Sequence, residues 1–255
     1  MMQGVIRKNK LVKMIVKEEL RGFDFDDISL GNIDKTEEES INCLILSSDI
    51  KNNFYVNLDE CIEIPNKINS KLSLIIPLVA KELELFEKIN LEIGELVIVT
   101  GEGLIPRLLS LCALWHGAKY VIHITAEKTY LPEIETIKFE NLSKNVISIA
   151  LNQKVNTTPG FVAIDTSGKA NIIDYLLETL PVWGRLILMG NTEPQLTIDY
   201  YNNVHRKAAD IVVTEFNIET IFDPNMKKVN SQYVKRSLRI LMNDVFRKQL
   251  EKIRI

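Results

Sequence analysis

Short apolar runs alternate with longer amphipathic segments from residue 95 onward. Five of the runs are apolar on both faces, which is the pattern of strands buried inside a parallel sheet. Apolar side chains recur on one side of the intervening segments, as in helices packed against a sheet. The runs are residues 95–100, 119–125, 145–151, 161–166 and 185–190, and the helical segments are residues 105–115 and 170–180. The pattern predicts an α/β fold with a Rossmann-type, doubly wound and mostly parallel sheet.

One crossover in this predicted sheet is short. Only residues 152–160 separate the third apolar run from the fourth, whereas a helical crossover between parallel strands needs about a dozen residues. We therefore expect the helix of this crossover to be lost or reduced to a turn.

The first 75 residues have a different texture and predict a separate β-subdomain. Residues 4–20 read as a hairpin, residues 31–40 as a polar, acidic loop, residues 41–48 and 54–64 as strands, and residues 73–87 as a helix. The predicted domains are residues 1–75, a Rossmann-type domain over residues 76–230, and a basic amphipathic C-terminal helix over residues 231–255.

Charge distinguishes the C-terminal segment from the rest of the chain. The net charge of the 255 residues is −3, yet residues 227–255 hold nine Lys/Arg against Asp244 and Glu251, a balance of +7. The favoured interpretation is a helix docked on the domain or on a dimer partner with a solvated basic face. Binding of nucleic acid or an acidic peptide is the alternative, but no interleaved aromatic residues support a nucleic-acid surface.

Composition narrows the class of protein further. A hydrophobic fraction of 46% is enough for a substantial core. The longest apolar runs fall short of the roughly 18 residues that a bilayer span needs, and the N-terminus does not resemble a signal peptide, so we expect a cytoplasmic protein without membrane contact. Three cysteines and three histidines are dispersed along the chain, which predicts no disulfide framework and no metal site.

Four ordered segments resemble the medium-chain dehydrogenase/reductase family, which includes zinc alcohol dehydrogenases and quinone reductases. They are the passage over residues 54–103 that ends in GELVIVTGEG, the strand at 118–125, FVAIDTSG at 161–168 and LPVWGRLILMGN at 180–191. The resemblance implies the same Rossmann-type fold, preceded in the family by a GroES-like β-subdomain.

The chain departs from this family in the N-terminal half. Residues 21–53 stand where the family has a much longer stretch that carries its catalytic zinc ligands and substrate pocket. The sequence has no Gly-His-Glu motif and no four-cysteine lobe. The resemblance therefore implies a truncated GroES-like subdomain and a zinc-independent protein.

The resemblance also implies where a dinucleotide would bind. Gly101 and Gly103 would form the tight turn beneath the pyrophosphate, and Leu104 and Ile105 would begin the helix whose N-terminus faces it. Pro106 replaces the third glycine of the motif, which keeps the helix start but adds bulk. A tight turn inherited with the fold, without a ligand, is an equal alternative for the two glycines.

Further cofactor contacts are expected at the ends of the later strands. Thr125 and Lys128 stand where an acidic residue would bind the ribose of NAD, so NADP is the first expectation and NAD the second. Ser167, Gly168 and Gly190 would complete the cofactor site. For Ser167 and Gly168, with Asp165, a strand-end turn and helix cap is the favoured alternative.

Two functions follow from these observations. The first is a divergent, zinc-independent NAD(P)-binding oxidoreductase of a biosynthetic pathway, with catalytic residues unassigned apart from Tyr200, Tyr201 and His205 as a candidate proton-donor group. The second is a non-catalytic relative, a pseudoenzyme that holds no cofactor and binds a peptide or protein partner. Either protein is expected to form a homodimer through residues 208–216.

Overall fold

The computed structural model describes residues 11–20, 27–36, 39–47, 53–57, 61–65, 68, 70–127, 131–139, 158–190, 196–222 and 227–253. The chain divides into two compact units. The first comprises Met1–Lys81 and Asn217–Asn243, and the second comprises Glu82–Phe216 and Asp244–Ile255. The chain therefore passes between the units three times.

The first unit contains a five-stranded antiparallel sheet with the order β4-β1-β2-β3-β5. Its strands are β1 (Leu11–Leu20), β2 (Asp27–Thr36), β3 (Glu39–Ser47), β4 (Asn53–Asn57) and β5 (Ile62–Ile64). The predicted acidic loop at residues 31–40 is wrong, because most of it pairs in the β2–β3 ladder, with Asp34 opposite Ser40. Antiparallel sheets tolerate polar residues where a face is solvated, so polarity alone did not identify a loop. The first residues of the predicted hairpin, 4–10, lie outside the described residues.

Helices complete the first unit and lead into the second. They are α1 (Ser70–Leu74), α2 (Ile76–Lys88), α5 (Glu219–Phe222) and α6 (Lys227–Leu241), and α2 carries the chain across the unit boundary. The single helix predicted over residues 73–87 is thus two helices that break at Ile75. Pro77 explains the break, because it has no N–H to donate to the carbonyl oxygen four residues earlier, at Ser73, and its ring crowds that carbonyl, whereas proline suits the first turn of a new helix.

The second unit contains a six-stranded parallel sheet with the order β11-β10-β9-β6-β7-β8. Its strands are β6 (Leu96–Thr100), β7 (Tyr120–Thr125), β8 (Glu135–Lys138), β9 (Phe161–Asp165), β10 (Arg185–Leu188) and β11 (Asp210–Val213). The order reverses between β6 and β9, which confirms the doubly wound Rossmann-type fold. Ligands of such sheets bind at the carboxyl ends of the strands beside this reversal.

Apolar burial on both faces holds this sheet. Every residue of β6 and β9 is buried, as the apolar runs predicted. Helix α3 (Leu104–His116) and helix α4 (Ala170–Thr179) form close to their predicted ranges. Gly117 ends α3 in the left-handed conformation, at φ 113°. Each fully buried aliphatic side chain contributes about 1.5–3 kcal/mol to such a core.

Two elements of the second unit differ from the sequence prediction. Strand β8 was missed because its sequence, ETIK, is short and polar, and its pairing with β7 at the sheet edge defines it. The strand predicted at residues 145–151 lies outside the described residues, as does most of the short crossover at 152–160. The C-terminal helix predicted over residues 231–255 is interrupted at Met242, so that α6 belongs to the first unit and α7 (Asp244–Lys252) to the second.

A search of the described residues for a helix both long and apolar enough to cross a membrane found none.

Candidate functional site

Three loops meet at the carboxyl ends of β6, β9 and β10. The Thr166 hydroxyl donates a hydrogen bond to the Thr100 carbonyl oxygen at 2.8 Å, and a Cβ atom added to Gly101 would overlap that hydroxyl. A Cβ atom at Gly190 would lie 2.7 Å from both the Gly168 nitrogen and the Thr166 carbonyl oxygen. Close packing of the loops therefore requires glycine at both positions, whether or not a ligand binds.

Asp165 organises the loop that follows β9. Its buried carboxylate accepts hydrogen bonds from the Thr100 hydroxyl at 2.5 Å and from the Ser167 hydroxyl at 2.6 Å. The backbone N–H groups of Ser167 and Gly168 donate to the same carboxylate at 3.1 and 2.9 Å. The structure thus brings Ser167 and Gly168 together with Gly101 and Gly190, and gives Ser167 a role in a strand-end turn.

The turn at Gly103 is open. Gly103 precedes α3 with φ 93° in the left-handed region, and a Cβ atom there would meet no heavy atom of the described residues within 4 Å. Leu104 and Ile105, both half-buried, form the first turn of α3, where backbone N–H groups point out of the helix. Pro106 is buried and packs toward Gly101 instead. The described residues therefore leave the N-terminus of α3 uncovered at Gly103, and a helix N-terminus favours negatively charged groups.

An ion pair follows the end of β7. Thr125 is buried, and its hydroxyl accepts a hydrogen bond from the Glu127 backbone nitrogen at 3.3 Å. The Glu127 carboxylate forms an ion pair with Arg107 of α3 and accepts a hydrogen bond from the Arg107 Nε at 2.7 Å. Lys128 lies outside the described residues. An acidic side chain is therefore present near the position where the ribose of a dinucleotide would lie, and it is already neutralised by arginine.

His123 connects β7 to the glycine turn. Its Nε2 lies 3.2 Å from the Gly101 carbonyl oxygen, which can accept a hydrogen bond from a protonated Nε2. Burial lowers the pKa of His123 to about 4, with an opposing effect from the bond to Gly101. The imidazole is neutral at pH 7 and supports the turn as a packed side chain.

A cavity of about 240 Å³ opens beyond the β9 loop, with Phe139, Lys169, Asn171, Ile172 and Tyr175 around it. The Lys169 ammonium lies 5.2 Å from the centre of the Phe139 ring, at cation–π distance. No local sequence pattern predicts this cavity, because Phe139 and Tyr175 are distant in sequence and come together only in the fold. The one local signal was Lys169, directly after Ser167 and Gly168.

The candidate proton-donor group lies elsewhere. Tyr200 and Tyr201 are exposed on a π-helical turn, and their ring centres lie 6.5 and 5.6 Å from that of His205. Lys207, just beyond, donates hydrogen bonds to the carbonyl oxygens of Leu177 and Glu178 at the last turn of α4. A helix that follows a parallel strand returns toward the amino edge of the sheet. The group therefore lies beside that end of α4 and away from the Gly103 turn.

In the part of the chain that the structure describes, no three His, Cys, Asp or Glu side chains lie close enough together to hold a metal ion. At the carboxyl edge of the parallel sheet, the described residues present the open turn at Gly103, the Arg107–Glu127 ion pair and the cavity beside Lys169.

Comparison with known proteins found relatives in fold only. No protein-family model and no curated protein matches the sequence. Galactitol-1-phosphate dehydrogenase from Escherichia coli matches with a TM-score of 0.71 at 15% identity, over 92% of this chain and 82% of that chain. A protein described as an NADPH:quinone reductase from Bacillus thuringiensis gives 0.68 at 13% identity, over 95% and 80%. A protein described as a zinc-binding dehydrogenase from Sinorhizobium meliloti, bound to NADP, gives 0.66 at 14%, over 89% and 81%.

These matches confirm the resemblance drawn from the four sequence segments. The chain has the fold of the medium-chain dehydrogenases and quinone reductases, at an identity that concerns the fold alone.

Proposed function

We propose that this chain, which has the fold of medium-chain dehydrogenases and reductases, binds a nicotinamide dinucleotide at the carboxyl edge of β6 and acts as a zinc-independent oxidoreductase. NADP is the proposed cofactor, ahead of NAD. The observation that carries the proposal is the open, left-handed turn at Gly103, beside the strand-order reversal between β6 and β9.

Different residues at the carboxyl edge of the parallel sheet would bind different parts of the dinucleotide. The N–H groups of the first turn of α3, at Leu104 and Ile105, would bind the pyrophosphate, while Arg107 supplies a cation. Ser167, Gly168 and Gly190 would border the crevice, and the cavity beside Lys169 would accept an apolar, planar group. The nicotinamide itself supplies hydride transfer when bound, and the chain supplies binding and orientation.

Calorimetric titration with NADPH and NADH tests the proposal. We expect saturable binding of NADPH at micromolar to submillimolar concentration and weaker binding of NADH. Absence of binding at millimolar dinucleotide, in protein shown to be folded by circular dichroism, would overturn it.

A matched pair of glycine variants localises the binding. Gly103→Ala places a methyl group in the open turn and should lower the affinity for NADPH at least about tenfold, because the methyl group would block the approach of the phosphate to the backbone. Gly94→Ala is the control, since Gly94 has nearly the same φ, 92° against 93°, and an added Cβ would make only ordinary contact with Pro159 at 3.6 Å, but Gly94 precedes β6 at the other edge of the sheet. Equal effects of the two variants would show that backbone strain, and not the turn, governs binding.

The second candidate function is partner binding without catalysis, and an exposed strand at the edge of the parallel sheet would supply a surface for a partner chain. Strand β11 ends the parallel sheet, and its Ile211 and Val213 side chains are 37% and 78% exposed. Trp183, 78% exposed, lies in the turn before β10 at φ 66°, a strained conformation for a bulky residue. An apolar strand at a sheet edge can add a strand from another chain.

A second copy of this chain fits that edge. Asp210 and Thr214 donate their N–H groups to Gly184 and Leu188 of the sheet, so the backbone groups of Ile211 and Val213 face outward. Antiparallel pairing of two β11 strands about Val212 would place Ile211 of each copy opposite Val213 of the other. Both apolar side chains would then have apolar partners, with no like charges opposed.

Sedimentation tests the dimer. Val213→Lys should convert a dimer to a monomer, whereas Val245→Lys, at an exposed valine of α7, should leave the dimer intact. A monomeric wild-type chain would overturn the dimer without affecting the proposal on nucleotide binding.

A further inference from the structure

The C-terminal helix α7 is a fixed part of the second unit. Phe246, Leu250 and Ile253 are fully or almost fully buried, at 0%, 0% and 2% exposure. The Phe246 ring meets the Trp115 ring of α3 edge-on, with 5.3 Å between centres. Burial of side chains this large contributes about 1.5–3 kcal/mol each, so α7 is held on the outer side of α3 by apolar contact.

Polar contacts fix the register of α7 along α3. The Trp115 Nε1–H donates to the Gln249 side-chain oxygen at 2.8 Å, and the Gln249 amide nitrogen donates to Glu133 at 3.3 Å. Gln249 therefore joins α7 both to α3 and to the segment that precedes β8.

The C-terminal end of α7 contacts Arg107. The Ile253 carbonyl oxygen accepts a hydrogen bond from the Arg107 Nη1 at 2.8 Å, while Glu127 binds the same guanidinium through its Nε and Nη2. The Arg107 side chain is 17% exposed, and its guanidinium contacts both the C-terminal end of α7 and the loop that follows β7. Its position is set jointly by the C-terminal helix and by the loop that follows β7.

The opposite charges of Arg107 and Glu127 would discriminate between a nucleotide with free ribose hydroxyl groups and one that carries a phosphate there. A nucleotide with hydroxyl groups at the ribose can bind Glu127 without disturbing Arg107, since a carboxylate accepts several hydrogen bonds. A phosphate monoester at the same place would accept charge-assisted hydrogen bonds from the guanidinium in competition with Glu127, and repulsion by the Glu127 carboxylate would offset only part of that gain. The affinity for such a phosphate then depends on how firmly the guanidinium is held by its other contacts, of which the hydrogen bond to the Ile253 carbonyl oxygen is one.

We propose that α7 positions Arg107 to receive a phosphate monoester of the bound nucleotide, and thereby sets the preference of this site for the phosphorylated ligand. The inference rests on the proposed nucleotide binding at Gly103 and assigns to α7 a role beyond that of a docked helix. Arg107 touches the ligand, whereas Trp115, Gln249 and Ile253 act through Arg107 as positioning residues.

Calorimetry on the full chain with 2′,5′-ADP and 5′-AMP tests this role, because the two probes differ only in the 2′-phosphate. Wild-type protein should bind 2′,5′-ADP more tightly. Trp115→Phe keeps the aromatic contact with Phe246 but removes the donor to Gln249, and should lower the affinity ratio of the two probes several-fold. Glu127→Gln should raise the ratio, since it removes the repelling charge while keeping a side chain of the same size.

A matched control and a second disruption complete the design. Lys248→Gln, at an exposed position of α7, should leave the ratio unchanged. Gln249→Ala should reproduce the effect of Trp115→Phe, and hydrogen exchange should show faster exchange over residues 244–253 in both variants.

The outcomes separate the two proposals. If the ratio of the two affinities is the same in the wild type, Trp115→Phe and Gln249→Ala, the proposed role of α7 is overturned and the proposal of nucleotide binding still holds. A loss of affinity equal for both probes would mean a structural role alone, and would also overturn it. Failure of both probes to bind the wild-type protein would overturn both proposals.

Discussion

Two buried ionisable side chains of the second unit, Glu82 and His123, should make the stability of the protein depend on pH. Glu82 of α2 is fully buried, and burial raises its pKa well above the usual range, with a small opposing effect from the Cys112 thiol of α3. Among the described residues, neither of its carboxyl oxygens has a hydrogen-bond partner of ordinary geometry. Burial therefore favours the neutral form of this carboxyl, which lies beside the Cys112 thiol between two helices.

Replacing Glu82 should stabilise the protein at and above neutral pH. A carboxyl whose pKa is raised in the folded state contributes its full stability below the unfolded pKa and loses it as pH rises toward the folded pKa. Glu82→Met should raise the free energy of unfolding by about 1–3 kcal/mol at pH 8 and flatten its pH dependence. Urea denaturation checks this, with Glu87→Met at an exposed position of the same helix as the control. If Glu82→Met were less stable than the wild type, the Glu82 carboxyl would have to make a stabilising interaction in the folded protein.

His123 should act in the opposite pH direction. Burial lowers its pKa from 6.5 to about 4, so the unfolded chain binds a proton that the folded chain does not over this interval. Stability is then lost as pH falls from about 6.5 to about 4, by up to about 3 kcal/mol. His123→Gln, whose amide can also donate to Gly101, should lose less stability between pH 7 and pH 4.5 in urea denaturation. Equal losses in both proteins would contradict the assignment.

Residue identity in the candidate site was only partly visible in the sequence. The turn at Gly101 and Gly103 stands where the pattern placed it, because a strand, a glycine turn and a helix are all local in sequence. The Arg107–Glu127 pair was missed, since its partners come from a helix and a strand end that meet only across the fold. For Asp165, the bonds from Thr100, Ser167 and Gly168 support the interpretation as a strand-end turn that the residue types favoured.

At the scale of elements, an ion pair fixes the amino edge of the parallel sheet. Arg185 at the start of β10 pairs with Glu95 beside β6 and donates to the carbonyl oxygens of Ile89 and Asn90, the latter at 2.7 Å. Glu95 is 5% exposed at its side chain and also accepts a hydrogen bond from the Glu92 nitrogen. The pair thereby joins the end of α2 to the central strands.

Removing one partner should cost more than removing both. Arg185→Met leaves the Glu95 carboxylate buried without its cation, and should lower the free energy of unfolding by about 3–5 kcal/mol. The double variant Arg185→Met with Glu95→Met should recover part of that loss, because no unpaired charge remains. Urea denaturation of the wild type, the single variant and the double variant measures the difference. A double variant less stable than Arg185→Met would contradict the expectation.

Strongly periodic elements were predictable and short or polar ones were not. The runs that became β6, β7, β9 and β10 are apolar on both faces, and a parallel sheet is the structure that buries such runs. Strand β8 and the paired part of residues 31–40 carry polar side chains that are compatible with loops, and only pairing with a neighbour makes them strands. The break between α6 and α7 falls inside a continuous amphipathic pattern, which periodicity alone could not divide.

For the whole molecule, the sequence pattern predicted a Rossmann-type fold and its relationship in fold to medium-chain dehydrogenases and reductases, both of which are confirmed. It could not predict that the chain returns to its first unit with α5 and α6 and to its second with α7. Such returns depend on contacts between residues far apart in sequence, and no local pattern encodes them. The C-terminal basic segment is consequently divided, with α7 docked on α3.

The central claim is that the open turn at Gly103 binds a nicotinamide dinucleotide, and hydrogen exchange with and without saturating NADPH tests it most directly. Binding in the proposed place should slow exchange of the backbone amides over residues 101–107 and 165–169, at the two loops beside the strand-order reversal. Residues 11–20, in the antiparallel sheet of the first unit, should exchange unchanged. Unaltered exchange at both loops under saturating NADPH would contradict the claim.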